Sequence, residues 1–401
     1  MALLSVEEAL RRILDNVAPT PAETIMIEDA RGRILAEPLS ALVTQSPFDA
    51  SAMDGYAVRA ADLARLPAKL TVTGEAAAGH LFKGRVGPGQ AVRIFTGAPV
   101  PEGADAIVIQ EDTTRDGDTV IVRDGKPETG HIRAKGFDFR EGQMLLAAGC
   151  KFGPREISLA AAMGHRPVAV HRRPRVAILS TGDELVPPGQ RPGPGQIIAS
   201  NHLGIGAICE AAGAEAQQLG IARDTRADLD AHFARAAGAD IIVTSGGASV
   251  GDHDLVAPAL QDRGMALSFW NIAMRPGKPL MFGALGTARV LGLPGNPVSS
   301  LICSRLFLVP LIRALLGQPA GPELPSQARL AVPLEGNGSR EHYMRAALAP
   351  SADGLPTVTP VRSQDSSLLS PLAEADCLLI RPVRAPAAPA GALVPILPLD
   401  F

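Results

Sequence analysis

From Arg175 onward, short and wholly apolar runs alternate with helical segments, and this alternation limits the fold more than any other feature of the chain. Val176-Ala177-Ile178-Leu179 is apolar without a break, the pattern of a strand covered on both faces. Ile241-Ile242-Val243-Thr244 is a second such run, and Leu280-Met281-Phe282 and Arg289-Val290-Leu291 follow. Helical stretches lie near Asn201 to Ala212, Ala227 to Ala237 and Leu255 to Gln261, a weaker strand near Ala216 to Ile221, and a long helix after Pro297. The pattern predicts a parallel, doubly wound α/β domain over 174–318, with helices on both faces.

The flanking regions read differently. Ser5 and Glu8 have capping-box spacing, and Val6, Leu10, Ile13, Leu14 and Val17 share one helical face. Short β patterns at Leu70–Thr73, Ala91–Phe95, Ala106–Ile109 and Thr119–Val122, separated by Gly/Pro/Asp turns, predict a small β domain over 43–138. Residues 139–173 return to helix and are grouped with 1–42, which makes the β domain an insertion. Residues 319–401 are rich in proline and short strands, so a small β-rich domain is expected. The fold class is therefore multidomain, α/β plus β.

Composition narrows the function. The chain has 401 residues, 46% apolar and 20% charged, which excludes wholesale disorder. Its 38 basic and 41 acidic residues leave no basic stripe of the kind that binds nucleic acid. The apolar stretch Leu301–Leu316 is broken by Arg305 and Arg313 and reads as a buried helix rather than a membrane span. Cys150, Cys209, Cys303 and Cys377 form no CxxC, which disfavours a disulfide framework or a zinc site and fits a reducing cytoplasm. The N-terminus lacks the basic start and long apolar core of a signal peptide.

Parallel sheets bind ligands at the carboxyl ends of their strands. Three loops leave that edge. The first is Ser180-Thr181-Gly182-Asp183-Glu184, the second Ser245-Gly246-Gly247-Ala248-Ser249-Val250-Gly251-Asp252-His253-Asp254, and the third Gly292-Leu293-Pro294-Gly295-Asn296-Pro297. The second can present backbone N–H groups to an anion, although a glycine-rich turn is also what a plain tight connection looks like. Asp183, Glu184, Asp252 and Asp254 would share one rim, and clustered carboxylates repel unless a cation sits among them. Mg²⁺ held by one or two carboxylates plus a substrate phosphate is the ordinary solution. His253 reads as solvated or as supporting its neighbours. Met274-Arg275-Pro276-Gly277-Lys278-Pro279 places two cations on a stiff turn nearby. Asp49 and Asp54, in Ser46–Ala57, suggest a segment that completes a site made elsewhere. Walker, Rossmann and HExxH motifs are absent from the places where they would act.

Together these segments closely resemble the molybdopterin molybdenumtransferase family, the molybdenum insertases that include MoeA and the E domain of gephyrin. The matching blocks are SPFDASAMDGYAV (46–58), RIFTGAPVPEGADAIVIQED (93–112), IRAKGFDFREG (132–142), ILSTGDELVPPG (178–189), TSGGASVGDHD (244–254), MRPGKP (274–279) and GLPGNPVSS (292–300). They occur in the family's order over almost the whole chain.

The resemblance implies a four-domain homodimer whose active site forms between the α/β domain and the partner's β domain. It implies a Mg²⁺-assisted reaction of adenylated molybdopterin with molybdate that yields molybdenum cofactor and AMP. The pterin dithiolene supplies the sulfur ligands. The family's acidic positions fall on Asp54, Asp138, Glu184, Asp224 and Asp254, its threonine on Thr96, and its paired prolines on Pro294 and Pro297. Glu184, Asp252 and Asp254 are the implied metal ligands. Thr181, Gly182, Asp183, Ser245, Gly246, Gly247, Ser249, Arg345 and Ser366 are the implied substrate contacts, with Arg275 and Lys278 as cation clamps. The upstream molybdopterin adenylyltransferase and downstream molybdoenzymes are the implied protein partners. Asn271 departs from the family, many members of which carry Lys after the Phe-Trp pair, and Arg275 stands where some carry Lys. A non-catalytic, cofactor-binding scaffold of the same family is the alternative reading.

Overall fold

A computed structural model describes residues 3–123, 131–247, 255–352 and 354–400. They group into two compact units. Thr24–Arg31 and Glu37–Ala169 form one; Met1–Glu23, Gly32–Ala36 and Val170–Phe401 form the other.

The smaller unit is built on six strands: β1 (Gly55–Val58), β2 (Ala68–Ala76), β3 (Gln90–Ile94), β4 (Ala106–Ile109), β5 (Thr113–Asp116) and β6 (Thr119–Val122). Their order is β4-β1-β3-β2-β6-β5. Alternate residues feed two cores, Tyr56, Val58, Ala91 and Val108 on one face and Ala57, Val92, Ile94 and Ile107 on the other. The sequence reading assigned neither helix nor strand to most of β1. All four of its residues are buried, so the polar alternation that marks a half-exposed strand is missing. Gly55 is required there, because a Cβ would lie 2.0 Å from the Val108 carbonyl oxygen.

The larger unit opens with α1 (Val6–Leu14), capped by the Ser5 Oγ, which accepts the Glu8 N–H at 3.2 Å. The reciprocal half of the expected capping box does not form. The Glu8 carboxylate accepts instead from Arg11 and Arg12, which hold it down to about 2. Two charged donors outcompete one neutral backbone N–H. Ala9, Leu10 and Ile13 of α1 pack in the same core as Ile178 and Val243.

That body comprises β7 (Arg175–Thr181), α2 (Asn201–Ala211), β8 (Glu215–Ala222), α3 (Arg226–Arg235), β9 (Ile241–Ser245), α4 (Val256–Asp262), β10 (Ala266–Trp270), β11 (Met281–Leu285) and β12 (Ala288–Leu293). The sheet order is β8-β7-β9-β12-β11-β10. The first four strands are parallel, as expected. The last two pairings, β12–β11 and β11–β10, are antiparallel, which the parallel expectation missed. Only Gly286 and Thr287 separate β11 from β12, enough for a hairpin and far too short for a parallel crossover. Val176 and Ile178 face one helical layer; Ala177 and Leu179 face the other. The stretch Pro297–Leu315 runs as α5 (Pro297–Cys303), a π-helical turn (Ser304–Leu308) and α6 (Val309–Leu315). It is long and apolar enough to cross a bilayer by composition, but 72% of its most apolar window is buried inside the fold.

The C-terminal strands β13 (Ser326–Leu330), β14 (Glu341–Ala349), β15 (Thr357–Pro360), β16 (Cys377–Arg381) and β17 (Leu393–Pro398) close on themselves through β14–β16 pairing. Ala328, Leu330, Ala346, Val358, Leu379 and Ile396 fill this barrel. Met274–Arg275 leaves the α/β body to pair in parallel with Glu341–His342 of β14, joining body to barrel. Ile178 is fully buried at the centre of the sheet. Ile178→Ala is expected to cost about 2–5 kcal/mol of unfolding free energy, measured by urea denaturation.

Candidate active site

The three loops leave the sheet at one level. Ser180 of β7 lies beside Ser245 of β9, and Ser245 lies beside Leu293 of β12. The carboxyl edge that they form is one wall of a cleft of about 1040 Å³, lined there by Ser180, Thr181, Glu184, Ser245, Gly246, Pro294 and Pro297.

Backbone constraints shape this wall. Gly246 has φ +95°, and a Cβ on it would lie 2.5 Å from the Thr181 carbonyl oxygen. Gly247 has φ +60°, and its Cβ would lie 2.3 Å from Val256 Cγ2. Two successive left-handed residues pressed against β7 leave room only for glycine. Gly182 also has positive φ (+147°), and the Glu184 carboxylate folds over it. Asp183 Oδ1 accepts the Asp224 N–H at 3.2 Å. Partial burial, then the charges of Asp183 and Glu184, push the Asp224 carboxyl above the usual range. Asp183, within the first loop, and Asp224, bonded to it, do not line the cleft. Ser249, Asp252, His253 and Asp254 lie outside the described residues. Among the described residues, no group of three His, Cys, Asp or Glu side chains is arranged to hold a metal ion.

Positive charge enters the same cleft. Arg275, Lys278 and Arg340 line it. Gly277, between the first two, has φ +105° and packs on Cys303 so closely that a Cβ would lie 2.5 Å from Sγ. His342, beside Arg275 in the ladder, is pushed down to about 4 by burial and then by Arg275, Arg340 and Arg345. It is therefore neutral at physiological pH and adds no charge.

Arg345 does not line the cleft. Its side chain is buried, and its guanidinium donates to the carbonyls of Ser363, Asp365 and Leu368 at 2.9–3.0 Å. Gln364 adds a bond in each direction to the Arg345 backbone. Arg345 thus shapes the loop that carries Ser366. Ser366 does line the cleft, and its Oγ accepts from Asn296 Nδ2 at 2.8 Å. Asn271 is not among the lining residues; its φ of +71° is a conformation that Asn tolerates better than Lys.

In the other unit, Asp54 Oδ1 accepts the N–H and the Oγ1–H of Thr96, at 2.7 and 2.8 Å. These bonds, the backbone one first, hold the Asp54 carboxyl below the usual Asp range. Asp138 is exposed, on a turn fixed by its N–H to the Gln45 carbonyl.

Sequence profiles match in the order of the chain: "MoeA N-terminal region (domain I and II)" over 4–164, "Probable molybdopterin binding domain" over 177–314 and "MoeA C-terminal region (domain IV)" over 327–399. A curated molybdopterin molybdenumtransferase of Haemophilus influenzae is 35% identical over 94% of both chains. The chain belongs to the MoeA family. A second relative with the same name, from Nostoc, is 40% identical over 81% of this chain and 77% of its own. The crystal structure of a molybdopterin biosynthesis MoeA protein from Pyrococcus horikoshii superposes with a TM-score of 0.84, at 30% identity and full coverage of both chains.

Two residues of this MoeA-family cleft escaped the sequence reading. Asn201, at the start of α2, donates to Ser245 Oγ at 2.9 Å and to the Gly295 carbonyl at 2.8 Å, tying the second loop to the third. Asn296 ties the third loop to the barrel. Their positions in strand–helix connections were the available signal, but an amide there reads equally as a cap. Gly246→Ala is expected to lower stability by about 1–3 kcal/mol and to weaken pyrophosphate binding at least tenfold, read by denaturation and calorimetry on the same protein.

Proposed function

We propose that this protein is a molybdopterin molybdenumtransferase of molybdenum cofactor biosynthesis, which takes adenylated molybdopterin and molybdate to molybdenum cofactor and AMP. The observation that carries this reading is one cleft lined by a glycine cradle together with Arg275, Lys278 and Arg340. The cradle suits a phosphate, and the cations suit an oxyanion. The cleft's volume, about 1040 Å³, is large enough for a ligand of dinucleotide size.

The roles follow from position. The bare glycine turn at Ser245–Gly247 lies against a phosphate of the substrate; the Gly246 N–H stays bonded to the Leu293 carbonyl, so the Ser245 hydroxyl, whose oxygen accepts from Asn201, is the donor it offers. Arg275, Lys278 and Arg340 draw molybdate in and offset its charge; Ser366 offers a hydroxyl beside them. Pro294 and Pro297 keep the third loop stiff. Glu184 is an oxygen donor in a carboxylate-rich corner where burial and then the charges of Asp183 and Glu184 push Asp224 up, and such a corner fits Mg²⁺. Glu184, together with Asp252 and Asp254, would hold that ion, which neutralises pyrophosphate charge when bound. Water cleaves the phosphoanhydride bond, AMP leaves and the pterin keeps its terminal phosphate, while the two dithiolene sulfurs bind molybdate and one molybdate oxygen leaves as water with the two thiol protons. Protein thiols are poorly suited as ligands. Cys209, Cys303 and Cys377 are buried, and burial pushes Cys209 and Cys377 up to about 12.

The quaternary part of the reading is a homodimer in which Asp54, Thr96 and Asp138 of one subunit complete the partner's cleft. The proposed functional divisions are 1–42 with 139–173, 43–138, 174–318 and 319–401. Four unpaired cysteines support a cytoplasmic setting. The upstream molybdopterin adenylyltransferase and downstream molybdoenzymes are the proposed partners.

Purified protein mixed with adenylated molybdopterin, Mg²⁺ and molybdate should release AMP and activate an apo-molybdoenzyme, both in proportion to molybdate. Substrate binding without either product would assign the chain to the scaffold alternative, unless tungstate restores turnover. Asp54→Asn and Glu184→Gln should each reduce AMP release at least a hundredfold with unchanged thermal midpoints; wild-type release in both would refute the site. Light scattering should give twice the chain mass, and a monomer would remove the cross-subunit role of Asp54.

A further inference from the structure

We infer that Arg93 is a positioning residue for Asp54, tying together the strands that set the direction of its carboxylate; the inference deepens the role just proposed for Asp54. Three segments meet around Asp54: the start of β1, the end of β3 leading to Thr96, and the segment after β4. Each touches Asp54 or its neighbour. Thr96 donates twice to Oδ1, and the Gln110 N–H donates to the Asp54 carbonyl at 3.1 Å. β1 pairs with β3 and with β4, and each of these bonds joins two of the segments, but no single group among them reaches all three.

Arg93 does. It stands on β3, and its Nη1 donates to the Gly55 carbonyl at 3.0 Å, immediately after Asp54. Its Nη2 donates to Gln110 Oε1 at 2.7 Å, on the segment whose N–H holds Asp54. One guanidinium therefore spans all three segments. Its plane is fixed by two rings, Tyr56 with its centroid 5.2 Å from Cζ and Phe95 at 4.8 Å. Stacking on aromatic faces and forking to two acceptors are properties of Arg and not of Lys. Gly55 brings β1 against Val108 of β4 with no space for a side chain, so a shift of β4 would carry Asp54 with it.

Electrostatics points the same way. Arg93 favours the ionised form of Asp54 through space, in addition to the two Thr96 bonds. Glu111, the nearby acid, accepts from Gln110 Nε2 at 3.4 Å. An Asp held low stays ionised as pH falls until its own lowered pKa is reached. Losing Arg93 raises that point, so activity that needs the carboxylate is lost at a higher pH.

The test compares wild type with Arg93→Met, Arg93→Lys and Gln110→Met, using AMP release for kinetics and ¹³C NMR titration of Asp54. Arg93→Met should lower kcat about tenfold to a hundredfold with KM for molybdate within about twofold. The Asp54 midpoint and the acidic limb of kcat should both move to higher pH. Arg93→Lys should restore most of the titration and little of the rate, because the charge returns without the fork. Gln110→Met, which keeps charge and stacking, should lose less rate in the same direction, and it serves if Arg93→Met does not fold. Folded variants with wild-type kcat and an unmoved Asp54 titration would overturn the inference. Asp54→Asn, run alongside, separates the two readings. If it turns over normally, the role of Asp54 fails, while the titration in the Arg93 variants still decides whether Arg93 holds it.

Discussion

The parallel pairing of β7, β9 and β12 is the constraint on which the cleft depends. It sets Ser180, Ser245 and Leu293 side by side, so that three separate loops begin at one height. The register is fixed by burial on both faces: Val176 and Ile178 toward one layer of helices, Ala177 and Leu179 toward the other. A slip of one residue would exchange the two sets and leave large side chains where alanines fit. Each buried aliphatic side chain contributes about 1.5–3 kcal/mol. The alignment of the polar loops is therefore enforced by apolar packing, not by contacts among the loops.

The barrel's share of the cleft rests on a different device. A barrel is closed, so its strands offer no free edge, yet the connections between them remain free to vary. Here one such connection is shaped from beneath by Arg345, a buried cation whose donors meet only backbone carbonyls. Its desolvation pulls it below the usual Arg value, opposed by the nearby charge of Asp365. The link between body and barrel is short: Met274–Arg275 pairs with β14 and carries Arg275 to the cleft in the same step. Gly277 then turns the chain against Cys303, which brings Lys278 to the same cleft.

Much of this was legible in the sequence, for identifiable reasons. Parallel strands buried on both faces announce themselves as unbroken apolar runs, and the loops after them follow by rule, so Ser245, Gly246, Glu184 and Pro294 could be singled out. Strand direction was legible only where a crossover intervened; the two residues between β11 and β12 were the overlooked sign of a hairpin. β1 was hidden because four buried residues have no alternation. The burial of Arg345 was not legible, for a general reason. Sequence shows that a cation is present on a strand but not whether that strand's face meets solvent or three carbonyls. Asn201 was missed because its partner Gly295 lies far away along the chain, and Arg93 because its partner Gln110, 17 residues on, is brought beside it only by the folded topology.

The burial of the cysteines has a consequence beyond metal ligation. A chain that handles a pterin dithiolene works beside two reactive sulfurs, and any accessible thiolate could form a mixed disulfide with them. Thiolate is the attacking species in such exchange, and both its abundance and its access count. Cys209, Cys303 and Cys377 are buried and kept protonated, and burial raises Cys150 as well. The fold thereby keeps those three buried sulfurs out of such exchange, a chemical silence that falls to it as a by-product of packing.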